Sequence, residues 1–217
     1  MEVLVNQLAS QLKQVAIHLE SPVESLVFSP DQVKVRTPKG TFNADQVYST
    51  LPAHQLSLLL NDPFLQAIPS ASLVVVNVGY RSSVLRMPGF GYLVPSQENE
   101  KILGVVWDSS IFPEQNREQE ETRLTVMIQD TQQDDAQIQQ LVLEKLAKHL
   151  GIVQVPDQLM INRKAQAIPQ YLVGHSKKVK EFEKTLDPHL KVLGTAFNGV
   201  AVNECVLNAI RECSTGL

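Results

Sequence analysis

Cysteine is scarce in these 217 residues: Cys205 and Cys213 are the only two. Both fall on one expected helix, eight residues apart, which the helical rise converts to about 12 Å, beyond disulfide reach. Without a clustered histidine they make no zinc site either, and they fit a reducing compartment. Charge of one sign is not in excess. Lys+Arg 19 against Asp+Glu 23 leaves a formal −4, so the basic field expected of a nucleic-acid binder is missing. No apolar run approaches the roughly 18 residues of a membrane-spanning helix, and no charged-then-apolar segment opens the chain. Any membrane association is therefore expected to be peripheral. Repeats and low-complexity tracts are absent, as are Gly-x-Gly-x-x-Gly, the P-loop, His-Glu-x-x-His and Gly-x-Ser-x-Gly. What is present is a globular composition, 43% hydrophobic and 19% charged, on a chain long enough for a substantial core.

Hydrophobic spacing divides the chain into elements. Leu4, Leu8, Leu12 and Val15 predict an amphipathic helix over 3–16, opening so close to Met1 that the chain reads as starting within a fold. Val33 and Val35 alternate with Lys34 and Arg36, Pro38-Lys39-Gly40 supplies a turn, and 17–51 reads as an antiparallel meander. A helix follows over about 53–61, ended by Pro63. Strands are expected at 71–80, 90–95, 102–108 and 122–128, with a charged, solvated loop at 114–121. The clearest helix is 134–150: Ile138, Val142, Leu146 and Leu150 share a face and Gly151 stops it. A strand at 158–168, a polar helix at 175–185, a strand at 190–197 and a helix over 203–213 complete the chain. The order suits a mixed α/β (α+β) chain with a strand-rich region inserted between helical segments.

Two segments stand out chemically. Gly89-Phe90-Gly91-Tyr92-Leu93-Val94-Pro95-Ser96, with Ile102 to Ser109, places two glycines around an aromatic. Such glycines let backbone approach a flat ligand, with Phe90 and Leu93 lining an apolar slot; a bulged hairpin with Phe90 in the core is the simpler alternative. Gly199-Val200-Ala201-Val202-Asn203-Glu204-Cys205 puts small residues before a helix, with Asn203 as expected N-cap. Free N–H groups there suit a carbonyl gaining negative charge, as at the pyrimidine end of a reduced flavin; an ordinary capped helix is the alternative. The histidines at 18, 54, 149, 175 and 189 are scattered and read mostly as surface or cap residues, His149 favoured by a helix C-terminus.

GFGYLVPS, GVVWDSSIFPEQN, LTVMI, AIPQYLVGH and GVAVNEC, in this order and spacing, resemble the oxygen-dependent protoporphyrinogen oxidases of the flavin amine oxidase superfamily. The opening helix, Ser21-Pro22-Val23 and Ser49 to Ala53 match as well, so the resemblance runs over essentially the whole chain and corresponds to the family's C-terminal half. It implies an FAD-dependent enzyme that oxidises protoporphyrinogen IX to protoporphyrin IX in haem synthesis, with dioxygen as acceptor. The animal-type relatives imply a homodimer attached peripherally to the mitochondrial inner membrane.

Residue by residue, the resemblance implies FAD contacts at Val23, toward the adenosine end, and at Val200, Ala201 and Val202, along the isoalloxazine ring. It implies substrate contacts at Phe90, Gly91, Leu93 and Met127, with no acid–base residue and no metal. The implied layout is an FAD-domain segment at 1–62, a substrate-domain portion at 63–170 and a return to the FAD domain at 171–217. The glycine-rich dinucleotide fingerprint, the acidic residue for the ribose and the arginine that steers substrate carboxylates have no counterpart here. Gln129-Asp130 stand where the family has a Gly-Gly pair, and Ser176 where relatives carry an aromatic. A second reading, a non-catalytic truncated homologue that binds a porphyrin or a full-length subunit, is carried beside the first.

Overall fold

A computed structural model describes residues 2–117, 120–129 and 132–214. The chain divides into two compact units, Ile68–Val173 and the segments on either side of it. The first unit opens with α1 (Glu2–Gln11), shorter than the periodicity predicts and with no buried residue; Leu4, Leu8, Leu12 and Val15 all lie at the surface. Strands β1 (Ser25–Phe28), β2 (Val33–Thr37) and β3 (Gly40–Ala44) form an antiparallel sheet in which Val33 is fully buried. Alternation in β2 sets the register, and the turn closes with the Thr37 hydroxyl donating to Gly40 O at 3.1 Å.

The meander is one strand shorter than expected. Strand β4 (Val47–Ser49) leaves it for a distant partner described below. Helix α2 (Ala53–Leu60) ends at Asn61, in the left-handed conformation with φ 51°, and not at Pro63. Pro63 instead starts α3 (Pro63–Gln66), where its missing N–H costs nothing; the Asp62 carboxylate accepts from the N–H groups of Phe64 and Leu65.

The second unit is a five-stranded antiparallel sheet backed by one long helix. Its strands are β5 (Ser70–Tyr80), β6 (Gly91–Leu93), β7 (Ile102–Val106), β8 (Thr122–Gln129) and β9 (Gln158–Pro169), in the order β6-β7-β8-β5-β9. A short α4 (Asp108–Ile111) follows β7, and α5 (Asp135–Leu150) precedes β9. Helix α5 starts in a reciprocal capping box between Asp134 and Gln137 and stops at Gly151, φ 68°. Its stripe Ile138, Val142 and Leu146 packs on Val74, Val76, Val78, Leu124, Val126 and Ile128, every second residue of the two central strands. Among the described residues no long helix of this unit covers the opposite face; the short α4 reaches it at one end, where Asp108 accepts from Thr125.

The chain then returns to the first unit. Helix α6 (His175–Glu183) buries His175, Val179 and Phe182, with Phe182 stacked on Phe197 and tilted against Phe64. Strand β10 (Leu190–Val192) ends well before residue 197 and pairs parallel with β4. His189, beside that pair, donates to Asp45 O at 2.7 Å and Pro30 O at 3.1 Å. Those two carbonyls favour the imidazolium and raise the His189 pKa from its ordinary value. Helix α7 (Val202–Ser214) closes the unit; Asn203 lies inside it and is not the cap.

Candidate functional site

Strand register gathers the expected substrate residues of the second unit on the sheet face away from α5. Leu93 pairs with Gly104, Gly104 with Met127, Met127 with Val75, and Val75 with Asn162. Cross-strand partners share a face, so these five residues form one row across all five strands. The adjacent row is Gly91, Val106, Thr125, Asn77 and Met160. Leu93 is 77% exposed and Met127 half-buried, and the glycine between them leaves room for Leu93 to lie over the sheet. A Cβ on Gly104 would stand 2.9 Å from Leu93 Cδ2 and 2.5 Å from Tyr92 O, and one on Gly91 would collide with Val105 O. Gly91 also has φ 133°, a region that side chains rarely enter. Both glycines are therefore fixed by geometry.

Phe90 is 72% exposed, so it is not a core residue of a bulged hairpin. Its carbonyl accepts from Trp107 N–H at 3.0 Å, while the Trp107 ring lies against Gly89, where a Cβ would come within 2.6 Å. Next to the Leu93–Met127 row the face turns polar. Asn77 donates to Thr125 Oγ1 at 3.0 Å, and Thr125 donates to Asp108 Oδ2 at 2.8 Å. These side chains, with Arg123, Gln158 and Met160, line a depression of about 740 Å³. The Arg123 guanidinium is engaged by Asn116, Phe112 O and Glu121, so its charge is largely neutralised. The surface thus combines an apolar strip, two glycines and a rim of donors and acceptors, which suits a flat ligand with a polar periphery.

Behind this face, Tyr92 points toward α5. Its hydroxyl meets His149 Nδ1 at 2.9 Å, and Glu100 beyond is pinned by Lys145 and Lys148 at 2.5 and 2.6 Å. Those two ammonium donors hold the Glu100 pKa down to about 2. Burial, then the Glu100 charge, pushes the Tyr92 phenol up to about 12. His149 is thus not merely a helix-end surface residue, and His175, buried and 3.3 Å from Phe197 O, departs from that expectation too.

In the first unit, Val23 is half-buried on the irregular segment entering β1. Val200, Ala201 and Val202 are exposed at the start of α7, after Gly199 with φ 121°. The expected free N–H of Ala201 is taken: Glu204 folds back and its Oε2 accepts it at 3.1 Å. The first-turn N–H of Val202 has no partner within the helix, as for any helix start. Of the positions that depart from the resemblance, Gln129 is exposed at the end of β8 and Ser176 is exposed on α6; Asp130 lies outside the described residues. Among the described residues no group of three or more His, Cys, Asp or Glu side chains is placed to hold a metal.

Sequence reasoning named Gly91, Leu93 and Met127 as contacts and singled out the segment holding Gly104, Val106 and Asp108, but it assigned no role to these three or to Val75, Asn77 and Thr125. Only strand pairing shows that these share a face, and no local spacing signals it.

Known proteins agree with this architecture. The sequence profile of flavin containing amine oxidoreductases matches residues 1–215. The chain is 34% identical over 192 residues to the protoporphyrinogen oxidase of Homo sapiens, covering 80% of this chain and 40% of that protein. It is 26% identical to the coproporphyrinogen III oxidase of Bacillus subtilis, with 95% and 47% covered. A crystal structure from Exiguobacterium sp. 255-15, provisionally assigned as a protoporphyrinogen oxidase, superimposes with TM-score 0.89 at 25% identity, over 99% of this chain and 50% of that one. The chain therefore spans about half the length, or less, of these relatives. With a matched profile over nearly its whole length and the same mixed α/β architecture, the chain belongs to the flavin containing amine oxidoreductase family, whose cofactor is FAD.

Proposed function

We propose that this chain is the substrate-binding portion, with part of the FAD-binding portion, of an oxygen-dependent protoporphyrinogen oxidase. The observation that carries the reading is the Leu93–Gly104–Met127 row: an apolar, side-chain-poor strip on an open sheet face, beside exposed Phe90. Leu93 and Met127, with exposed Phe90 beside them, supply apolar contact to a macrocycle, and Gly91 lets the backbone approach it. The chain contributes orientation, since no general acid or base points from this strip. Val200, Ala201 and Val202 fit the ring end of FAD, being small, exposed and at the positive end of a thirteen-residue helix, and Val23 is assigned to its adenosine end. FAD held there would supply the hydride acceptor and the route for electrons to dioxygen. The same reading includes a homodimer held peripherally at the mitochondrial inner membrane.

A specific observation favours a second reading, a porphyrin-binding module without turnover. The Glu204 carboxylate already occupies the Ala201 N–H, and a negative charge there opposes a reduced flavin. The experiment mixes the purified chain with protoporphyrinogen IX and FAD in air, with and without the separately expressed N-terminal half of the human relative, and follows protoporphyrin fluorescence. FAD-dependent oxidation that needs both halves supports the first reading. Assembly of the two halves with FAD bound and no oxidation overturns it in favour of the second.

A further inference from the structure

Strand β6 is three residues long and bonded only to β7, so its ladder fixes it weakly. Beyond that ladder it is flanked by two backbone bonds, Trp107 N–H to Phe90 O at 3.0 Å and Val94 N–H to Leu103 O at 2.9 Å. The side chains it offers to the open face, with the adjoining Phe90, are among the most exposed apolar groups in the unit, so their own packing does not hold them. The opposite face of the same strand is anchored. The Tyr92 ring meets the His149 ring edge-on with centroids 5.6 Å apart, and its hydroxyl is hydrogen-bonded to Nδ1 at 2.9 Å. The other ring nitrogen, Nε2, faces Glu100 Oε1 at 3.6 Å. Glu100 lies just before β7 and is locked by Lys145 and Lys148 of α5. The side chains of His149 and Glu100 are only 17% and 12% exposed. One network thus joins β6, the entry to β7 and the last turns of α5.

We propose that Tyr92 and His149 are positioning residues: through them α5 fixes the pose in which β6 presents Phe90 and Leu93 to a tetrapyrrole. This deepens the reading above and rests on it. A phenol with so high a pKa keeps its proton, so Tyr92 acts as a fixed hydrogen-bond partner and not as a base. The role differs from ordinary packing because it concerns where exposed groups stand, and stability alone does not report that.

The test uses Trp107, the only tryptophan in the chain and the donor to Phe90 O, as an intrinsic probe. Protoporphyrin IX is titrated into the full chain and quenching of Trp107 gives Kd. Tyr92→Phe and His149→Leu are expected to weaken Kd about threefold to tenfold, the worth of one hydrogen bond. His149→Gln, which keeps a partner for Tyr92, is expected to recover most of that loss. The control Val142→Ala, in the core under α5, is expected to lower Tm and leave Kd unchanged. An unchanged Kd in Tyr92→Phe, or Kd values that simply follow Tm across all four variants, overturns the proposal. If protoporphyrin does not quench the parent chain, the tetrapyrrole reading fails, and positioning is judged by amide exchange at Trp107 and Val94. Faster exchange in Tyr92→Phe then upholds the anchoring of β6, and unchanged exchange overturns it.

Discussion

The two units of this chain dispose of their apolar residues in opposite ways. In residues 68–173 the helix stripe and the alternating strand residues meet, and the members of that cluster are almost fully buried. In the other unit, α6 and α3 enclose a small aromatic core, yet α1 and α7 bury nothing. Leu4, Leu8, Val206, Leu207 and Ile210 have the spacing of a buried face and lie open. The β4–β10 pair is covered on one face only: Leu190 and Val192 are buried while Tyr48 and Lys191 are exposed, where parallel sheets are ordinarily covered on both faces. An apolar stripe therefore shows that a helix has a face to bury, and the burial depends on a partner the stripe does not name.

The largest consequence of that contrast lies in local stability. Amides of β5 and β8 are expected to exchange only through global unfolding, and those of α1 and α7 through local opening. The protection factors should differ by on the order of 10³ or more. Equal protection of α1 and β5, measured by hydrogen exchange, would show that α1 is covered in solution. A related outcome concerns the cofactor. The pyrophosphate site of such folds is a glycine-rich strand–helix turn, and no such sequence occurs here. The purified 217-residue chain is expected to lack a flavin absorption band; a yellow protein with one equivalent of FAD contradicts this.

Core substitutions sharpen the comparison. Leu146→Ala removes a side chain that is 1% exposed and should cost about 3 kcal/mol in urea unfolding. Leu8→Ala, at a site 58% exposed, should cost less than about 0.5 kcal/mol. Comparable losses at both positions would mean that the exposed stripe of α1 is buried by association.

How much of this was legible beforehand follows the same division. The α5 helix is readable to within a residue, because Ile138, Val142 and Leu146 mark its face and Gly151 its end; the capping box of Asp134 and Gln137 shows only in the structure. The sequence pattern extends the meander too far because β4 pairs with residues 190–192, and parallel pairing across such a separation leaves no local period. Gly91 and Leu93 were named from a motif, but the row they enter depends on a register that includes a shift between Ile102 and Gly104. Asn203 looked like a cap by residue type; the chain instead uses Glu204, whose carboxylate reaches back to Ala201. Competing polar residues within two positions of a helix start are not separated by sequence alone.

Phe90 carries a smaller effect that separates ligand contact from stability. Because the side chain is exposed in the chain itself, Phe90→Ala should leave Tm within about a degree. Under the proposed function it should weaken tetrapyrrole binding by up to about 2 kcal/mol, or raise KM in an assembled enzyme with FAD content unchanged. A lowered Tm with unaltered Kd would return Phe90 to the core and remove it from the site.

The smallest effects are electrostatic, and they have opposite signs in the two units. Glu100, in the second unit, has a folded pKa of about 2 against an ordinary 4.5, held down by hydrogen bonds from Lys145 and Lys148. Its contribution is therefore present above pH 4.5 and lost as pH falls from 4.5 toward 2. His189, in the first unit, has its pKa raised above 6.5 because both ring N–H groups donate to carbonyls. Its contribution is present below pH 6.5 and lost as pH rises through the raised value. Urea midpoints across pH should show an acid limb that flattens in Glu100→Gln and an alkaline limb that flattens in His189→Asn. Trp107 fluorescence follows the second unit, and backbone exchange at Val47, whose N–H donates to His189 O at 2.8 Å, follows the first. If Glu100→Gln leaves the acid limb unchanged, the lysine pairs are too well solvated to couple to folding. The Tyr92–His149 anchor then stands on its hydrogen bond alone.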